Sequence, residues 1–263
     1  MRKSRKNYGF SLTEVLLSVG ILAVGMVFVA GVFPVAIHFT TTATERAIAA
    51  VFADEAFARI RLYAEGDPVQ DTPGNDDIDL NELEENELTG FYDVNVFPAA
   101  VNIPPCEFAY PSDPNLSLLR KQYFWSALLR RVGAGSNRLV QVTVFVSRRT
   151  SPGLEYPAPP EGTGVVIWPM PVRVGVSQVT DNELEIDNAN QRTFINDGYT
   201  IVDDRTGRIY RVLERYADEP DTILLDRDWD EDSPNPDAVW VVPPPVNGSR
   251  YPCIAIYQKV IRF

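Results

Sequence analysis

The stretch Gly9-Phe10-Ser11-Leu12-Thr13-Glu14-Val15-Leu16-Leu17 joins two segments of opposite character. Before it, residues 1–9 carry Arg2, Lys3, Arg5 and Lys6 and no acidic side chain. After it, residues 15–44 contain no Asp, Glu, Lys or Arg, and residues 15–33 are almost wholly Val, Leu, Ile, Phe, Met, Ala and Gly. Those 19 residues approach the ~20 that span a bilayer as a helix. Basic flanks stay on the cytoplasmic side, so the rest of the chain is expected to cross outward. A secretory signal begins similarly, but its apolar core is usually about 7–15 residues long and ends in a small-x-small cleavage site. Here the apolar run continues through Phe39.

Glu14 interrupts this simple anchor. A carboxylate at the head of a membrane segment is costly unless paired, which makes it a functional candidate by default. Taken alone, Ser11-Leu12-Thr13-Glu14 also matches the S-x-x-E capping box, in which the glutamate bonds back to a backbone N–H at the helix start. It would also sit favourably at the positive end of the helix dipole. One carboxylate has lone pairs enough for a capping and a docking role.

Together, the basic leader, Gly9, Phe10, Glu14 and the apolar run resemble the class III signal of type IV prepilins. The resemblance implies that a prepilin peptidase cuts between Gly9 and Phe10 and N-methylates the new terminus at Phe10. A side-chain-free Gly9 suits close approach of protease groups to the backbone. It further implies that Glu14, the fifth residue of the cut chain, neutralises the α-amino group of a neighbouring subunit during filament assembly. Residues 14–26 look most like V-type minor pilins and I-type pseudopilins.

Beyond the membrane the helix is expected to continue. Gly20, Gly25, Gly31 and Pro34 weaken it, since each glycine costs up to ~1 kcal/mol relative to Ala and proline kinks or breaks a helix. Thr40 to Thr44 form a polar patch, and His38 reads as an interfacial residue. Residues 43–64 are Ala-rich, with Glu55 and Arg59 placed as a favourable i, i+4 pair. The charges do not collect on one arc, which suggests a helix touched on several sides. A helix over residues 10–62 would be about 80 Å long, suiting a pilin stalk.

The outer region reads as β-rich. Residues 66–90 form an acidic loop, residues 91–97 a short strand, and five prolines from Pro98 to Pro114 an irregular connection. Residues 122–149 form a hairpin around Gly133-Ala134-Gly135-Ser136-Asn137, with Val140, Val142, Val144 and Val146 on one face. The resemblance implies an antiparallel sheet here, laid on the helix. From Val172 onward, strands are expected at 172–178, 198–203, 208–214, 222–225, 238–242 and 254–263, with Asp204-Arg205-Thr206-Gly207 as a hairpin turn. Short, regularly spaced strands suggest a small barrel or sandwich. The expected class is therefore α+β: a long transmembrane helix, a pilin-like sheet packed on it, and a C-terminal all-β module. The expected divisions are a leader at 1–9, a transmembrane and assembly helix at 10–39 and a stalk at 40–65. A pilin-like domain at 66–150, a Pro-rich linker at 151–171 and a C-terminal domain at 172–263 follow.

Charge and residue types narrow the chemistry. The chain carries a net charge of −12, and residues 10–263 retain 20 basic and 36 acidic side chains. Such a surface repels phosphate, so no nucleic-acid partner is expected. The single histidine lies in the helix, which leaves the outer region without a Ser-His-Asp or Cys-His set, so no enzyme activity is expected. Cys106 and Cys253 are either two buried thiols or a disulfide, which an oxidising periplasm permits. Asp226, Asp228, Asp230 and Asp237 give an oxygen-rich spacing that calcium accepts. Glu231 occupies the position where a calcium loop needs glycine, so a solvated acidic turn is the stronger reading. No other cofactor is expected.

The resemblance implies a subunit anchored in the bacterial inner membrane with its C-terminal region periplasmic. From there it would pass into a type IV pilus or a type II secretion pseudopilus. The implied partners are prepilin peptidase, other pilin or pseudopilin subunits and the inner-membrane assembly platform. The alternative is a membrane-tethered periplasmic binding module whose helix is a simple anchor.

Overall fold

The computed structural model describes residues 11–64, 88–91, 105–132, 139–160, 162–229, 238–248 and 250–262. The expected strand at 91–97 and the hairpin turn at 133–137 lie largely or wholly outside them. The chain divides into two compact units, Met1–Ala47 and Ile48–Phe263.

Within the first unit, residues 12–47 are helical and belong to α1, Leu12–Ala64. The helix runs through Pro34 without interruption. Residues 11–41 are exposed. Length and composition make this a helix able to cross a membrane.

Among the described residues, the second unit comprises the last part of α1 and thirteen strands. In chain order these are β1 (Thr89–Phe91), β2 (Ala109–Tyr110), β3 (Tyr123–Arg131), β4 (Leu139–Arg148), β5 (Tyr156–Pro157), β6 (Val165–Val166) and β7 (Val172–Thr180). There follow β8 (Glu183–Ile186), β9 (Thr200–Asp203), β10 (Ile209–Arg215), β11 (Thr222–Leu225), β12 (Ala238–Val241) and β13 (Cys253–Arg262).

An antiparallel sheet runs β1-β3-β4-β13, with β2 pairing further along the outer edge of β3. The expected hairpin is its centre, since β3 and β4 pair from Tyr123↔Arg148 to Arg131↔Val140. Val140, Val142, Val144 and Val146 share one buried face, as their alternation requires. Against that face lie Ala49, Phe52, Ala53, Ala56, Phe57 and Ile60 of α1. Their spacing is that of a single helical stripe. A local apolar stripe therefore exists where the scattered charges suggested none.

The C-terminal module is a closed six-stranded barrel in the order β10-β11-β8-β7-β12-β9. Each strand sends alternate residues inward: Val174 and Val176, Leu184 and Ile186, Ile223 and Leu225, Val239 and Val241. Tyr199 and Ile201, and Tyr210 and Val212, complete the interior at β9 and β10. Closure needs strands that bend. β10 pairs with β9 over its first residues and with β11 over its last, with an irregularity between Val212 and Glu214. A bulge of that kind raises the local twist and turns a strand from one neighbour to the next.

The last strand departs from the expected arrangement. β13 is not in the barrel; it pairs with β4 from Cys253↔Ser147 to Arg262↔Leu139. The barrel is thus inserted between two neighbouring strands of the sheet. Alternation marks 253–262 as a strand but carries no information about its partner. A third core joins the two modules, with Leu128, Phe145 and Cys253 from the sheet side meeting Val202, Trp240 and Val242 from the barrel. The segment 151–171, expected as a linker, contains the small β5–β6 pair and the fully buried Tyr156 and Met170.

Candidate functional site: the head of the N-terminal helix

Gly9 and Phe10 lie outside the described residues. The described helix head begins at Ser11, whose carbonyl accepts hydrogen bonds from Glu14 N at 3.0 Å and Val15 N at 3.2 Å. The Ser11 hydroxyl pairs with the Thr13 hydroxyl at 2.7 Å. Glu14 occupies the first turn and is exposed. No described hydrogen bond or ion pair reaches its carboxylate, so the reciprocal bond of a capping box is not formed. The position still suits a negative charge, because the first turn presents unsatisfied N–H groups and the positive end of the helix dipole. An unpaired carboxylate on an apolar helix has a strong electrostatic demand for a cation once it leaves water.

The apolar helix that follows offers surfaces with no side chain in the way. A Cβ added at Gly20, Gly25 or Gly31 would meet nothing within 4 Å. Small residues of this kind let a second helix approach closely in a membrane.

The threonine patch has a role that residue types alone did not disclose. Thr40, Thr41, Thr42 and Thr44 each donate a hydroxyl to the carbonyl four residues earlier, at 2.8–3.0 Å. Ser18 does the same to Glu14 O at 2.8 Å. The hydroxyls are satisfied by the helix itself, so the patch can lie in or beside lipid without an outside partner. The available signal was the presence of Ser and Thr inside an apolar helix, where a hydroxyl can bond back to the carbonyl four residues earlier.

The expected Glu55–Arg59 pair forms at 2.6 Å. Arg59 also reaches Glu107 at 2.8 Å, and Ser112 Oγ donates to Glu55 at 3.1 Å. These bonds fix the segment at 107–112 to the helix.

The other sequence-derived candidates are dispersed. Cys253 is a buried free thiol, and burial pushes its pKa up to about 12. The Cys106 side chain lies outside the described residues. Asp226 Oδ1 accepts from Arg211 N at 3.0 Å and lies 3.8 Å from Arg227 Nε. Asp230 and Asp237 fall outside the described residues, and the described ones hold no grouped set of metal ligands.

The fold and this helix head define a class: an α+β protein with one long N-terminal helix apolar enough to cross a membrane. Residues 4–30 match the family model described as the prokaryotic N-terminal methylation motif. That motif, at the head of this helix, fits a type IV pilin-like prepilin. The motif implies processing by a prepilin peptidase and points to a structural subunit. Comparison with curated proteins and with solved structures returned no match.

Proposed function

We propose that the chain is a minor pilin or pseudopilin subunit, cut between Gly9 and Phe10, methylated at Phe10 and assembled through its N-terminal helix. The observation that carries this reading is the exposed, unpaired Glu14 carboxylate on the first turn of an apolar helix, five residues past the glycine of a methylation motif. The α-amino group of Phe10 in a neighbouring subunit is the cation that Glu14 calls for. A pairing within the bilayer is stronger than the same contact in water, so it would select the register in which the next subunit docks. Before assembly the helix holds the subunit in the inner membrane, with the sheet and barrel on the periplasmic side.

The inserted barrel supports a minor rather than a bulk subunit, because a bulk subunit repeats densely along a filament. It equally favours the second reading, a tethered binding module that uses the helix only as an anchor. Glu14→Gln separates the two. Filament assembly predicts normal membrane insertion and sharply reduced incorporation into filaments. Equal incorporation of wild type and variant would remove the docking role and favour the tethered module.

A further inference from the structure

The bond between Gly9 and Phe10 lies just ahead of α1, and the point at which that helix begins decides whether its carbonyl is free. Cleavage adds water across this amide. A C–O bond forms at the Gly9 carbonyl carbon, the C–N bond breaks, and Phe10 takes the proton and gains the α-amino group. The attacked carbonyl is therefore that of Gly9. In a helix each carbonyl accepts from the N–H four residues further on. Were Gly9 to stand at the cap of α1, its carbonyl would accept from the Thr13 N–H. The oxygen would then be engaged in the helix, away from the donors that stabilise a carbonyl under attack.

Ser11 occupies the position that prevents this. α1 begins at Leu12, and Ser11 precedes it. The Ser11 carbonyl accepts from Val15 N at 3.2 Å and from Glu14 N at 3.0 Å. Accepting the first intrahelical bond is the backbone role of an N-cap residue. The Ser11 hydroxyl is held within the first turn by its 2.7 Å bond to the Thr13 hydroxyl. A helix that starts at Leu12 leaves the Thr13 N–H outside its own ladder.

Residue types decide where the cap settles. Serine is among the best N-caps and glycine ranks below it. Phenylalanine has no side-chain acceptor to offer. Only Phe10 separates Ser11 from Gly9. Ser11 and Gly9 are thus competing caps, and only a cap at Gly9 engages the carbonyl of the bond to be cut.

We propose that Ser11 is a positioning residue for prepilin processing: as the N-cap of α1, it keeps the helix from taking up the Gly9 carbonyl. This role rests on the prepilin reading of the motif at residues 4–30 and gives the residue after Phe10 a part in it.

The full chain in detergent would be incubated with purified prepilin peptidase, and initial rates compared for wild type, Ser11→Ala, Ser11→Asn and Ser11→Thr. Alanine is a poor cap, and asparagine is a good one that lacks a hydroxyl. Ser11→Ala is expected to be cut roughly 5-fold more slowly, the effect of losing a typical cap, and Ser11→Asn at the wild-type rate. Amide hydrogen exchange at Thr13 reads the cap without the peptidase. It should slow in Ser11→Ala, where the Thr13 N–H bonds to Gly9 O, and stay fast in Ser11→Asn. Equal cutting of wild type and Ser11→Ala would overturn the role of Ser11 and leave the prepilin reading intact. So would normal cutting of Ser11→Thr beside slow cutting of Ser11→Asn, which would make the hydroxyl a direct contact of the peptidase. A wild-type chain left uncut would overturn the prepilin reading and this role together.

Discussion

Lys259 Nζ lies 2.6 Å from Asp54 Oδ1 and 4.5 Å from the centre of the Phe57 ring. The last strand is thereby tied to α1 across 205 residues of chain. The contact marks where the fold closes, since β13 follows the barrel strands in the chain and completes the sheet beside β4.

The tie is a marker more than a source of stability. Lys259 and Asp54 are 51% and 74% exposed, and exposed pairs are worth about 0–1 kcal/mol. Lys259→Gln should therefore cost less than ~1 kcal/mol in urea unfolding. Phe57→Ala opens the helix–sheet core and should cost about 3–5 kcal/mol. A larger loss from Lys259→Gln than from Phe57→Ala would reverse this ranking.

The barrel is pinned to the sheet through the turn after β9. Arg130 Nη1 donates to Arg205 O at 2.8 Å, and Gln258 Nε2 donates to Gly207 O. Gly207 has a φ of +69°, and a Cβ there would lie 2.9 Å from Gln141 Nε2. Gly207→Ala should lose about 1–2 kcal/mol from the left-handed conformation alone, and more from displacing Gln141. Gly198 has a φ of +77° with nothing within 4 Å, so Gly198→Ala reports the backbone cost by itself. Equal losses at the two sites in urea unfolding would show that Gln141 accommodates the methyl group freely.

Asp204 is a buried carboxylate that accepts from the Trp240 indole N–H and pairs with Arg173 at 2.9 Å. Burial pushes its pKa up from the ordinary carboxylate value, against the pull of Trp240 and Arg173. A raised folded-state pKa means that folding favours the protonated form. The resulting stability is fully present below the unfolded pKa and is lost as pH rises through the folded one. Asp204→Asn removes that dependence. The stability of wild type relative to the variant should therefore grow as the pH is lowered from 7 to 4. A gap that shrinks over that range in denaturant titrations would give Asp204 the opposite sign.

The buried Cys253 thiol, with its pKa near 12, should resist alkylation, because the thiolate is the reactive species. Iodoacetamide at pH 8 is expected to leave Cys253 unmodified in the folded protein and to modify it after denaturation without reductant. Modification only after reduction would place Cys253 in a disulfide, with Cys106 as the partner to map.

The helix head was legible because its signals are contiguous: basic leader, Gly9, Phe10, Glu14 and apolar run lie within one short stretch. The β3–β4 hairpin and the β9–β10 turn were legible for the same reason. The place of β13 was not, because its partner β4 lies over a hundred residues earlier and alternation says only that a strand exists. The stripe from Ala49 to Ile60 was obscured by Glu55 and Arg59, charges beside the buried face that engage each other and the 107–112 segment. Pro-rich stretches misled in a different way. In the 151–171 segment Pro157 and Met170 are buried, where proline content alone suggests a loose connection.

The central claim is tested most directly by the intact mass and N-terminal sequence of the protein from native membranes. The account predicts a chain that starts at N-methylated Phe10. A chain that starts at unprocessed Met1, with Gly9 and Phe10 still joined, would contradict it.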